Sequence, residues 1–279
     1  MITLRALVTL VVLLEIAAAA PARGEPTSAP DASAPASKDW EFTVAPYFWG
    51  AGLKGTVGAD GVSSDVDVDF SEIWDALDVG VLGAFEARRD KLSLTTNLIY
   101  MKLSTDASHP VGPGLGAFPP GSLNVDLTAQ MLLVEGRAAW EVLSLPLFGD
   151  ADERRVALDL GPAFRVWWLD AETDVKLKPG IPIGPFEASF DGSTDWVDFL
   201  IGARLRAQLA EKLGIVVSGD YGGFSIGTSS NYTWSIAGFA SYQLFEHWDI
   251  AAGWRTIKID RDFGDLKMEG PLLGFAYRF

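Results

Sequence analysis

Nucleophilic and acid–base chemistry needs a histidine or a thiol within reach of a partner, and this chain offers two His and no Cys. His109 stands in the segment SHPVGPGLG, beside Ser108 and close to Asp106, the raw material of a hydrolytic site. His247 stands in a tight turn, far away in sequence. Neighbours in one loop do not make a catalytic geometry, so the residues point to no enzyme and no cofactor. Zero Cys removes disulfide frameworks, thiolate metal sites and cysteine nucleophiles.

Asp65, Asp67 and Asp69 form a D-x-D-x-D run, the opening of a calcium loop. Phe70 stands where that loop needs Gly, and Ala76 where it needs the closing Glu, so no resident metal is expected. These three are weak candidates for holding a divalent cation against anionic headgroups, and a solvated acidic loop is the reading preferred. Just after them, Phe70, Ile73, Trp74 and Leu77 recur at helical spacing, which predicts a short amphipathic helix packed on a rim. A third set mixes signs: Glu86, Arg88, Glu135, Arg137, Asp159, Arg165, Asp198, Arg204, Arg206, Asp220, Arg255 and Arg278. Arginine forks suit a confined space, because each can hold a carboxylate with two parallel hydrogen bonds.

The elements that must position these charges are strands. Leu92, Leu94 and Leu98 alternate with Ser93, Thr95 and Asn97. Val156, Leu158, Leu160, Phe164 and Val166 alternate with Asp159, Gly161, Ala163 and Arg165, and Val197, Phe199 and Ile201 with Asp198 and Gly202. A period of two over so many residues separates an apolar from a polar face. Leu123, Val125, Leu127 and Ala129 alternate with Asn124, Asp126, Thr128 and Gln130 and join the apolar set.

Connections alternate too. Arg89–Lys91, Glu211–Gly214 and Phe245–Trp248 are tight, while Lys54–Asp78, Asp106–Gly121 and Asp174–Thr194 are long and rich in Gly, Pro or acids. Short turns at one end and long loops at the other are the layout of an antiparallel up-and-down transmembrane β-barrel. About ten strands follow, with eight or twelve also compatible because Val62–Phe70 alternates and can form a hairpin. Aromatic residues near strand ends support a membrane belt: Trp40 and Trp49, Trp234 and Tyr242, with Tyr100, Trp168 and Trp196 toward the long loops and Trp140, Trp248 and Tyr277 toward the short turns. The charged set then faces a lumen, and the two histidines fall on opposite sides of the membrane.

Export precedes all of this. Arg5, the apolar stretch Ala6–Ile16 and the small residues Ala17–Ala22 predict a signal peptide over 1–22, followed by a Pro/Ala/Ser-rich periplasmic leader over 23–39 and the barrel over 40–279. Twenty-two basic against 37 acidic residues leave a net charge of −15 and a pI near 4.5, which excludes a nucleic-acid partner. Hydrophobic residues at 48% exclude a disordered chain.

The chain closes on Leu273, Phe275, Tyr277 and Phe279 in alternation. This pattern resembles the assembly signal of Gram-negative outer-membrane barrels, carried here by Phe275, Tyr277 and Phe279. With WEFTVAPYFWGAGLKGTVG at Trp40–Gly58, VDVDFSEIWDALD at Val66–Asp78 and GDYGGFSIGTSS at Gly219–Ser230, the chain resembles a family of largely uncharacterised small outer-membrane barrels, distantly OmpA- and OmpW-like. The resemblance implies an outer-membrane location and, as partners, the barrel-assembly machinery and outer-membrane lipids including lipopolysaccharide. It brings no catalytic residue. The expected function is a barrel with a narrow or occluded lumen serving small-solute passage or envelope structure. The alternatives are a surface module binding partners, cations or lipopolysaccharide through acidic loops, and a lipid-modifying enzyme.

Overall fold

The computed structural model describes residues 39–59, 62–111, 121–147, 154–178 and 185–279. The expected signal peptide and all of the leader but Asp39 lie outside the described residues. No described helix is long and apolar enough to cross a membrane, so any crossing is made by strands.

The strands are β1 (Glu41–Trp49), β2 (Gly52–Ala59), β3 (Val62–Val68), β4 (Leu77–Arg89), β5 (Leu92–Val111), β6 (Gly121–Pro146), β7 (Arg155–Lys178), β8 (Phe186–Ala210), β9 (Leu213–Gly223), β10 (Tyr232–Phe245), β11 (Trp248–Arg261) and β12 (Gly264–Arg278). One short helix, α1 (Phe70–Asp75), joins β3 to β4. Strands β1 and β4 to β12 form a closed antiparallel ring, shut by β1 against β12 with Thr43 opposite Arg278 and Trp49 opposite Leu272. Ten strands close the barrel, as the alternation predicts. Beyond Trp49 the first strand bends at Gly50 and Ala51 and continues as β2, which pairs with the start of β12 and turns back as β3. That is the hairpin expected near Val62–Phe70.

The described residues of the segments expected as long loops are largely strand. Strands β5 to β8 run far past the roughly 9–11 residues that cross a bilayer and rise from one side of the rim as a four-stranded sheet. Their Gly, Pro and acidic content reads as loop. The acids, however, lie on one face of continuous strands, Asp170, Glu172 and Asp174 on β7 and Glu187, Asp191 and Asp195 on β8, where water rather than lipid meets the outer face.

Unbroken registers lay residues of β5 to β8 in rows across the wall. At membrane level the outward rows are apolar but for Thr96: Leu98–Val134–Val166–Val197, then Thr96–Gly136–Phe164–Phe199. The Phe164 ring lies over Gly136, where an added Cβ would fall 2.4 Å from a ring carbon, so aromatic surface replaces the missing side chain. Past the row Tyr100–Leu132–Trp168–Asp195 the outward face turns polar, with Ser104–Thr128–Glu172–Asp191 as one row.

Candidate functional site: the barrel interior and its loop-side sheet

The inward rows run the opposite way. Toward the short turns the interior is charged. Arg204 donates from Nε to Asp159 Oδ2 at 3.0 Å and from Nη1 to Glu86 Oε2 at 2.9 Å. Arg206 shares Asp159 at 2.9 Å and reaches Glu141 Oε2 at 2.9 Å, while Arg88 lies 3.3 Å from Asp159. Gly202 makes room here, because a Cβ there would stand 2.9 Å from Nε of Arg137.

Three inward rows above Asp159 and Arg204 lies the row Asn97–Glu135–Arg165–Asp198. Arg165, without solvent exposure, donates to Glu135 at 2.8 Å, to Asp220 at 2.9 Å and to the Thr233 hydroxyl at 2.8 Å. Arg255 bonds the other oxygen of Glu135, Asn97 donates to it at 2.7 Å, and Tyr47 donates to Asn97 at 2.8 Å. Arg137 holds Asp220 at 3.0 Å. Glu86, Glu135, Glu141, Asp159 and Asp220 each meet at least one guanidinium, which offsets the cost of removing both from water. Arg278 pairs with Asp249 at 2.8 Å near the short turns.

Asp198 has other partners. It accepts from Trp196 Nε1 at 2.9 Å and from the Ser230 backbone N–H at 2.7 Å, and so anchors the loop between β9 and β10. Asp159 is the carboxylate that Arg204 and Arg206 share.

The next row, Ile99–Leu133–Trp167–Trp196, is apolar and essentially unexposed. Trp167 stacks on Trp196 at 5.5 Å, Arg261 lies over Trp196 at 4.4 Å, and Trp49 faces Arg255 at 5.5 Å. Ile257, Ile259 and Met268 close the cluster from the far wall. Trp49 and Trp196 therefore point inward, which corrects their expected place in the membrane girdle. Both sit on the parity of inward charges, Trp196 two residues before Asp198. Trp40, Trp140, Trp248, Tyr242 and Tyr277 stay exposed outside.

Above this plug the inner face remains apolar. The rows Met101–Met131–Leu169–Thr194 and Leu103–Ala129–Ala171–Gly192 lead to Leu127, Val175 and Leu177 on β6 and β7 and to Phe186 and Phe190 on β8. Leu123, Val125, Leu127 and Ala129 thus share the inner face of Glu135, not the outer one where the sequence reading placed them.

The other candidates are scattered. Asp67 pairs with Lys54 at 3.1 Å, Asp65 accepts from Thr56 at 3.0 Å, and the Asp69 N–H starts α1 by donating to Glu72 at 3.0 Å. No group of three ligating side chains gathers among the described residues. Helix α1 packs on the outer wall, with Phe70 and Trp74 5.5 and 5.6 Å from Phe48. His109 falls at the far end of β5, and His247 lies 5.9 Å from Tyr277 at the other end of the barrel. Phe275, Tyr277 and Phe279 are exposed on the outer wall.

A closed ring with an apolar belt outside and compensated charge inside leaves lipid as the only solvent that fits its waist. The chain is an outer-membrane-type β-barrel. No protein-family model matches it, and no curated protein does. Among solved structures it is similar to the outer membrane protease OmpT from Escherichia coli, at 9% identity over 88% of this chain and 99% of that one, with a TM-score of 0.44. It is also similar to Ail, the attachment invasion locus protein of Yersinia pestis, at 9% identity over 87% and 100% of the two chains and a TM-score of 0.33. The P. putida toluene transporter TodX gives 10% identity over 87% and 90%, with a TM-score of 0.32.

Proposed function

We propose that this protein sits in the bacterial outer membrane as a barrel with a closed lumen, which holds apolar small molecules against the inner face of its loop-side sheet. The single observation that carries the reading is the inversion of faces between membrane and water. At membrane level apolar residues face out and charges face in; past Tyr100 and Trp168 the apolar residues face in. Leu127 keeps 39% of its surface exposed there, in a sheet whose outer face is acidic. Apolar surface left in water is costly, by about 25 cal/mol per Å², and a bound apolar molecule removes that cost. Passage of hydrated solutes finds no support in a waist filled by Trp167, Trp196, Ile99 and Leu133, each at most 1% exposed.

The test pairs two measurements on purified, heat-modifiable protein. Planar bilayers are expected to show no conductance steps. Titration with the apolar dye N-phenyl-1-naphthylamine is expected to give saturable fluorescence, weakened about tenfold by Leu127→Asp with Val175→Asp. Stable conductance steps, or dye affinity indifferent to both substitutions, would sink the reading.

A further inference from the structure

Strand β8 has a neighbour on only one side over much of its length. It pairs with β7 from Phe186 opposite Leu177 downward, whereas pairing with β9 begins at Leu200 opposite Gly222. Among the described residues, Phe186–Asp195 therefore carries a row of backbone N–H and C=O groups with no strand on this side, and from Trp196 onward Ser230 of the β9–β10 loop lies against the strand.

Sheet edges in water are normally kept short, bent by a bulge, or guarded by Lys or Pro. Here there is no bulge, Pro or Lys, and the charges the edge carries are all acidic. The register to β7 is unbroken, and FEASFDGSTDWVDF contains no Pro, Lys or Arg. The side chains along the edge are sorted. Phe186 and Phe190, 61% and 63% exposed, stand on the inner face; Glu187, Asp191 and Asp195 stand on the outer one.

We propose that this edge docks an extended segment of another protein as an added strand, one in which apolar residues alternate with Lys or Arg. Backbone hydrogen bonds supply the attachment and alternate side chains the selectivity. The apolar residues cover Phe186 and Phe190, and the basic ones stand about 5 Å from the acids opposite them. A second copy of this chain does not fit. Two copies in one membrane point the same way, so antiparallel pairing of the two edges would need one of them inverted. Parallel pairing about a two-fold axis along the strands would set the phenylalanine side of one copy beside the acidic side of the other.

The experiment uses the full-length protein in detergent and a fluorescein-labelled peptide of about ten residues, alternating Val and Lys, followed by anisotropy. Saturable binding is expected. It should fall about tenfold for the backbone N-methylated peptide, and likewise for an alternating Val and Glu peptide. Phe186→Ser with Phe190→Ser should weaken it about fivefold while heat-modifiable migration stays unchanged. Absence of binding by the Val and Lys peptide overturns the proposal. So does equal binding of the N-methylated form, which reduces the effect to attraction between opposite charges.

Discussion

Asp159 shows how much one inward carboxylate is asked to do. It is 1% exposed and lies within 3.3 Å of guanidinium nitrogens of Arg88, Arg204 and Arg206. Replacing Arg204 and Arg206 by Met removes two of those partners, leaves Glu141 without its guanidinium and leaves Glu86 with Arg88 alone. Breaking a buried ion pair from one side costs about 3–5 kcal/mol, because the remaining charge stays out of water. The double substitution should lower the temperature of the heat-modifiable gel shift markedly. Arg89→Met, at an exposed position, should leave it within about 1 kcal/mol of the parent. Equal effects of the two variants would mean that water reaches the inner network. The inward residues missed from the sequence carried a signal of the same kind. Trp196 shares its strand parity with Asp198 and Arg204, so an aromatic residue read as girdle already lay on the charged face.

At the scale of elements, the ring was legible because lipid outside and charge inside impose a strict alternation on strands such as β8 and β11. The rising sheet was not, because alternation alone does not say which face is which. Leu123 through Ala129 read as membrane-facing until the chain is followed, without a bulge, to Glu135 six residues beyond Ala129. The period is the same above and below Tyr100; only the solvent outside changes. Helix α1 was legible as amphipathic, since Phe70 and Trp74 recur on one side. Its place on the outer wall depends on Phe48, a residue of another element. Phe48→Ser removes the contact of both rings and should expose the segment from Phe70 to Asp78 to limited proteolysis, with the heat-modifiable shift retained. Resistance to cleavage in that variant would show that the hairpin of β2 and β3 alone fixes the helix.

The whole molecule exists only when β1 finds β12, since every other neighbouring pair of the ring is joined by a direct connection except β1 with β4, which α1 and the β2–β3 hairpin bridge. Closure near the short turns is backbone and aromatic together. The Phe42 and Phe279 amides donate to each other's carbonyls at 3.1 and 3.0 Å. On the outer face the Phe42 and Phe279 rings lie 5.7 Å apart, and Tyr277 meets Trp248 at 5.0 Å. Each such aromatic pair contributes about 0.5–1.5 kcal/mol beyond the area it covers. Tyr277→Ser with Phe279→Ser removes these contacts while leaving the backbone able to pair. If the aromatic row helps hold β12 for closure, the double variant should reach the membrane poorly and accumulate as a protease-sensitive, non-heat-modifiable form. Tyr277→Trp with Phe279→Trp keeps aromatic surface at both places and should assemble as the parent does. Normal amounts of the Ser variant in the outer membrane would assign closure to the backbone ladder alone. Failure of the Trp variant would instead point to recognition of these particular side chains by the assembly machinery.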